Sequence, residues 1–426
     1  MPAYQPRIAI TGGGPSGLAL GLLLSRHNIH TIIYELRSKP TPEEIAKPSG
    51  MLNLHEESGL SVMRECGLWE GFQAAVGDCS ESTRVLNPEG VVLHTDEGEL
   101  SNRPEIPRHA LTNLLAQNLP EDIVKWDHKI TAARSERNPT TAATEIILDL
   151  GENGTATYDF VIGADGAWSR VRSILSDIKP FYSGAQLMTA TVRHVSTNYP
   201  HLLELNGSGT LNALGGGNSI STHRGPQDSI RVYAAVSTPN ERWAVEAGLQ
   251  GKTAIEVKTT LLSDDKLFGK WASQLQELLA AACDEETKDN PGSKADLMPL
   301  YMLPVGHSWE HRCGATLIGD AAHLMTPWAG EGVNLALWDA LDLAHVLAEV
   351  PETEDAASWQ EALDPRVREF EKVMQARAKE KAEETLRNKN ILLSENGAQN
   401  MANLFKMYEE MAAVGGETNG QQMRVG

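Results

Sequence analysis

Six residues near the start, Gly12-Gly13-Gly14-Pro15-Ser16-Gly17, constrain this 426-residue chain more than any other feature. They follow the apolar run Arg7–Thr11, which reads as a buried strand, and open a helix from about Ser16 to Arg26. A second strand is expected over Thr31–Glu35, completing a βαβ unit within the first 35 residues. Gly12 permits the tight turn, Gly14 lets a pyrophosphate reach the backbone, and Gly17 lets helix and strand lie close. Pro15 and Ser16 begin the helix, whose N–H groups and dipole favour phosphate. Glu35 ends the second strand about 20 residues on, where an acid accepts ribose hydroxyls. A ligand-free Gly-rich turn is the alternative, and the strand-turn-helix context disfavours it.

The charge balance sets a puzzle beside this motif. Lys plus Arg number 37 against 57 Asp plus Glu, a formal net charge of −20. So acidic a chain is poorly suited to nucleic acid or anionic lipid surfaces. An anionic dinucleotide must therefore be held by local donors, and backbone N–H groups are insensitive to net charge. Four cysteines without a CxxC pair or framework spacing give no disulfide scaffold and no metal site. No apolar run approaches the roughly 18 residues of a membrane span. The expectation is a soluble cytoplasmic protein with a small-molecule partner, its oligomeric state open and a monomer favoured.

Further along, 38–50 reads as a loop, with helical patterns near 57–66 and 108–119 and strands at 145–150 and 158–163. From about 183 to 240 short β-like pieces alternate with turns, suggesting an inserted sheet. Residues 254–282 look helical and 284–296 form a solvated linker. In 366–389, rich in Glu, Lys, Arg and Ala, Val367, Phe370 and Met374 make a docking stripe. The fold class is α/β: a Rossmann-like dinucleotide-binding domain with an inserted β-sheet domain and a C-terminal helix. The expected boundaries are 1–73, 103–180 and 300–350 for the first domain. The second takes 74–102 and 181–299, followed by a helical segment at 364–412 and a disordered tail at 413–426.

Two more motifs sit at strand ends. Gly163-Ala164-Asp165-Gly166 follows a buried strand and precedes Ser169, flanked by Arg170 and Arg172. Gly319-Asp320 follows another and leads through Pro327, Gly330, Glu331 and Gly332 into a helix with Val333 and Asn334. A carboxylate at a strand's C-terminal end can accept hydroxyls from a sugar-alcohol chain. N–H groups at the second helix start can stabilise negative charge.

These three motifs, in this order, resemble those of the class A FAD-dependent monooxygenases, the para-hydroxybenzoate hydroxylase group. Arg103-Pro-Glu-Ile-Pro-Arg108 adds a fourth match. Ser49–His55 and Leu317–Met325 are similar to the tetracycline-inactivating flavin monooxygenases. The resemblance implies FAD, with Gly12, Gly14, Pro15, Ser16 and Gly17 on its pyrophosphate and Glu35 on the adenosine ribose. Arg37 would border adenine, Asn53 and Arg108 the ribityl–pyrophosphate stretch, and Asp320 the ribityl or pyrophosphate region. The loop with Pro327, Gly330, Gly332, Val333 and Asn334 would face the isoalloxazine. Asp165 and Gly166 belong to a motif associated with both FAD and NAD(P)H. The family often has an uncharged or basic residue where Glu331 stands, so Glu331 either points to solvent or tunes the reduction potential differently.

The implied reaction is reduction of flavin by NAD(P)H, a transient co-substrate, then transfer of one oxygen atom from O2 through a C4a-hydroperoxyflavin. It needs no nucleophilic side chain, and no acid or base is assigned, His323 included. The substrate would be a bulky aromatic or polycyclic molecule, a tetracycline-like antibiotic or other secondary metabolite, hydroxylated or epoxidised. Thr189, Thr191, Arg193, His223, Arg224 and Tyr233 are candidate contacts on the inserted sheet, ordinary sheet surface being the simpler reading of each. A flavin oxidase or dehydrogenase, or a non-catalytic FAD-fold binding protein, are the rival readings.

Overall fold

The computed structural model describes residues 4–47, 49–76, 82–96 and 104–422, so Arg103 of the fourth match lies outside the described residues. Contacts divide the chain into two compact units, the first comprising 1–77, 102–183 and 301–386. Its centre is the strand Ile8–Thr11, buried at every position and paired in parallel with Thr31–Tyr34 and Phe160–Gly163. A strand covered on both faces is apolar throughout, so Ile8–Thr11 shows no alternation. Ala315–Leu317 and Val124–Lys125 extend the parallel sheet to five strands. Parallel neighbours need a crossover, and the helix Pro15–Arg26 supplies the first. That helix is buried from Ser16 to Leu24 and packs against the helix Gly332–Ala348. Gly21 permits its approach to the sheet, since a Cβ there would stand 2.5 Å from Ile33 Cδ1.

The long helix Ala356–Leu392 joins this unit as far as residue 386, where a separate helical segment over 364–412 was expected. The expected stripe of Val367, Phe370 and Met374 is buried in the unit's core. Acids on the same helix add polar ties. His311 Nδ1 meets Glu371 at 2.8 Å and its Nε2 meets Asp364 at 3.0 Å. Glu371 also accepts from Thr316 Oγ1 and Trp309 Nε1.

Burial alone would lower the His311 pKa, but the two carboxylates outweigh it and raise the value. A raised folded pKa gives stability that is complete below the unfolded value of about 6.5 and lost as pH rises through the folded one. His311→Gln is therefore expected to flatten the loss of stability above about pH 6.5. Urea melts at stepped pH check it, and an unchanged slope would show the ties to be inert.

The second unit comprises 78–101, 184–300 and 387–426. Its seven-stranded sheet runs Asp296–Met302, Phe181–Val192, Ser229–Ser237, Asn218–Gly225, Thr210–Gly215, Thr83–Leu86, Val92–Asp96. Met188, Ala190, Val232, Ala234 and Ile220 share a buried cluster with Leu275, Leu278 and Ala282 of the helix Ser273–Asp289. Register places Thr189 opposite Tyr233 and Thr191 opposite Arg231, with Ser221 and His223 next across. Alternation puts these polar residues on the other face.

Three local expectations are corrected. Within 38–50 a short helix, Pro42–Ala46, is fixed by a capping box between Thr41 and Glu44. The expected linker at 284–296 begins inside Ser273–Asp289, because buried Glu285 accepts from Tyr199 and Lys288. The final helix spans Gly397–Gln422, covering most of the segment expected to be disordered. Among the described residues no helix is long and apolar enough to cross a membrane, and no acid, His or Cys cluster could hold a metal ion.

Candidate active site

In the first turn, Gly12 has φ +101, and a Cβ there would lie 2.2 Å from Ala164 O. A Cβ on Gly17 would lie 2.0 Å from Gly12 O. Both positions are closed by the fold itself. Gly14 differs: its φ is −77 and a Cβ would meet nothing within 4 Å. Buried Glu35 accepts from the Gly13 N–H at 2.6 Å, and from the Arg37 N–H and Nε at 2.8 and 3.0 Å. Arg37 is largely exposed and lies beside the turn through this pairing.

The other strand ends lie in the same unit. Asp165 is engaged by its own turn, accepting from Ser169 Oγ at 2.6 Å and Arg170 N at 2.7 Å, while Gly166 takes φ +72. Buried Arg172 donates to Ala321 O and Ala167 O, tying the two Asp-bearing turns together. Asp320 opens the short helix Asp320–His323, with its side chain accessible to water. Burial pushes its carboxyl above the ordinary range, and the charges of His323 and Arg108 oppose that rise. Arg108 opens the helix Arg108–Gln117, its N–H bonded to Gly50 O.

His323 is no free base. Its Nε2 sits 2.6 Å from Asp339, which is wholly buried and also accepts from Gly319 N and Arg377. Burial would neutralise this imidazole, but Asp339 and then Asp320 raise its pKa on balance.

Pro327–Ala329 forms a 3-10 turn and Gly330 takes φ +69 before the helix Gly332–Ala348. Gly332, like Gly14, has ordinary φ and open space where a Cβ would go. The Asn334 side chain is engaged within the protein: its amide donates to Asn53 O and accepts from His55 N and Ser58 Oγ. It clamps 53–58 to the helix start and leaves its backbone to any ligand. Glu331 does not point to solvent. It is 9% exposed, with Lys381 Nζ at 2.7 Å.

On the second unit's sheet, Thr189 and Thr191 are brought together by Arg231, and Thr189 also donates to Asp296. Arg193 pairs with Asp289 and Arg224 with Asp228. His223 and Tyr233 stack edge to face, ring centroids 5.8 Å apart. Sequence reading missed Arg231, Asp339, Lys381 and Thr385. Asp339 had a visible signal, a buried acid within an apolar helical run; the others depend on partners distant in sequence.

Gly14 and Gly332 fit a group that lies against both helix starts, because neither needs glycine for its backbone and both leave N–H donors open. Glu35, Arg108 and Asp320 are acceptor and donor groups of the kind that a dinucleotide with a sugar-alcohol chain requires. A parallel sheet whose first strand feeds a Gly-rich turn and helix defines a dinucleotide-binding fold. Residues 6–211 and 311–396 match the FAD binding domain family. The chain is 33% identical to the monooxygenase penA of Penicillium thymicola, over 94% of this chain and 98% of that one. Klebsiella pneumoniae HpxO, solved with FAD and uric acid, superposes with a TM-score of 0.71 at 18% identity, covering 96% of this chain and 94% of that one. The tetracycline destructase Tet(51) gives 0.64 at 17% identity, covering 96% and 98%. The chain belongs to the FAD binding domain family and is a class A FAD-dependent monooxygenase.

Proposed function

We propose that the enzyme uses NAD(P)H and O2 to hydroxylate or epoxidise a bulky aromatic or polycyclic small molecule, a class that includes tetracycline-like antibiotics and other secondary metabolites. The observation that carries this reading is the pair of approachable helix starts at Gly14 and Gly332, in one unit with Asp320. FAD, when bound, supplies the chemistry: it accepts reducing equivalents and activates oxygen.

The chain's own tasks are binding, orientation and charge. The N–H groups of Gly14 and Ser16 take the pyrophosphate, and Glu35 positions the ribose while staying fixed by Gly13 and Arg37. Asp320 and Arg108 hold the stretch between pyrophosphate and ring. N–H groups at Gly332–Asn334 favour negative charge on the ring, an effect of about 0.3–2 kcal/mol. Substrate contacts are assigned to the polar face of the second unit's sheet, around His223 and Tyr233. No side chain is assigned as acid or base.

Purified enzyme is expected to be yellow and to consume NAD(P)H and O2 together only with an aromatic substrate, whose product gains one oxygen atom. Hydrogen peroxide formed in step with an unoxygenated product would replace this reading with an oxidase. Asp320→Ala is expected to abolish the bound-flavin absorbance; normal holoprotein would remove Asp320 from the cofactor site.

A further inference from the structure

Glu331 sits between two glycines at the N-cap of the helix Gly332–Ala348. A carboxylate there is favoured by the helix dipole and competes with any anion presented to the same N–H groups. It is also too buried to be neutralised by water. Its Oε1 lies 2.7 Å from Lys381 Nζ and its Oε2 lies 3.5 Å from His55 Nδ1. Lys381 in turn lies 3.4 Å from Glu384. Burial disfavours the ammonium, but Glu331 and Glu384 outweigh it and raise the Lys381 pKa, so the lysine stays charged.

Lys381 is the middle of a three-residue row on the long helix, at spacing four. One turn earlier, Arg377 binds Asp339 and Asp342. One turn later, buried Thr385 donates to Thr326 O at 2.8 Å and accepts from Ala329 N at 3.1 Å. One helix flank thus holds the stretch 326–342 by its backbone at one end and by its charges elsewhere. Thr385 and Arg377 already fix the position of that stretch. The distinctive contribution of Lys381 is its charge.

We propose that Lys381 is a positioning residue that cancels the Glu331 charge beside the flavin, leaving the helix N–H groups to stabilise the reduced ring. This rests on the reading that residues 327–334 face the isoalloxazine. A charged Glu331 left alone would oppose negative charge on the flavin and lower its midpoint potential. A charged Lys381 left alone would raise it. Removing both charges gives a value between the two.

The test is the two-electron midpoint potential of the holoenzyme carrying E331Q, K381M or both. E331Q is expected to lie at least about 30 mV above K381M, a tenfold difference in the reduction equilibrium, with the double variant between them. Lys381→Gln carries the same expectation if K381M does not accumulate as holoprotein. A purely mechanical pin predicts no ordering by charge, so equal or reversed potentials overturn the proposal. Gly332→Val separates the underlying reading, since a side chain there meets open space in the protein. A tenfold or greater loss of FAD affinity in that variant confirms the loop against the flavin. Unchanged affinity removes the loop from the ring and the proposal with it.

Discussion

Asp339→Ala is expected to cost about 3–5 kcal/mol of unfolding free energy, the range for removing one member of a buried charge network. Asp339 is wholly buried, and its carboxylate serves His323, Arg377 and the Gly319 N–H at once. Without it, two cationic groups that are almost as deeply buried lose their counter-charge. Arg377 keeps Asp342 and the Trp338 ring, 4.2 Å from its guanidinium, whereas His323 keeps only the weaker field of Asp320. The pair Arg7–Asp159 provides the contrast. Its arginine is about half exposed, so deleting Asp159 releases that cation to water and should cost less. Asp339→Asn keeps the volume and some hydrogen bonds but no charge, and should fall between wild type and Ala. Urea unfolding of the apoprotein measures all three, and a loss below about 1 kcal/mol for Ala would reject the network as a stabilising element. FAD affinity should fall as well, because Gly319 carries Asp320.

This network also shows where the amino-acid order is informative. The βαβ start and the strand-end acids are local patterns of glycine, apolar run and carboxylate, so Gly12, Gly17, Glu35 and Asp320 can be read directly. The stripe Val367, Phe370 and Met374 is equally plain, because helical period and burial coincide there. The second flank of the same helix is not plain. Arg377, Lys381 and Thr385 look like solvated residues in a charged segment until Asp339, Glu331 and Thr326 come within bonding distance. Asn334 belongs to a motif expected to face the ring, and the amino-acid order does not show that its amide is taken up by residues 53–58. Glu331 is ambiguous for the same reason. Its charge is visible in the sequence, and the lysine that answers it lies 50 residues away. On the inserted sheet, alternation identifies the face of Thr189 and Thr191 but not that Arg231 and Asp296 engage them.

The sharpest separation of fold from site is expected at two glycines three residues apart. Gly17→Ala should impair the apoprotein itself, because the new Cβ would stand 2.0 Å from Gly12 O and 3.3 Å from Ile10 Cγ2. The nearer atom is backbone in a turn already fixed at φ +101, so relief requires moving the helix off the sheet. Overpacking of this kind costs about 1–3 kcal/mol or more. Gly14→Ala should do the reverse. Its φ of −77 suits any residue, and the Cβ enters open space, so apoprotein stability should change by less than about 0.5 kcal/mol. The same methyl group would occupy the approach to the helix N–H groups, and FAD affinity should fall at least tenfold, about 1.4 kcal/mol. Paired urea melts of apoprotein and FAD titrations resolve the two effects. If Gly14→Ala binds FAD as wild type does, the pyrophosphate does not lie on this turn. If it destabilises the apoprotein as much as Gly17→Ala, Gly14 serves the fold and carries no information about the cofactor.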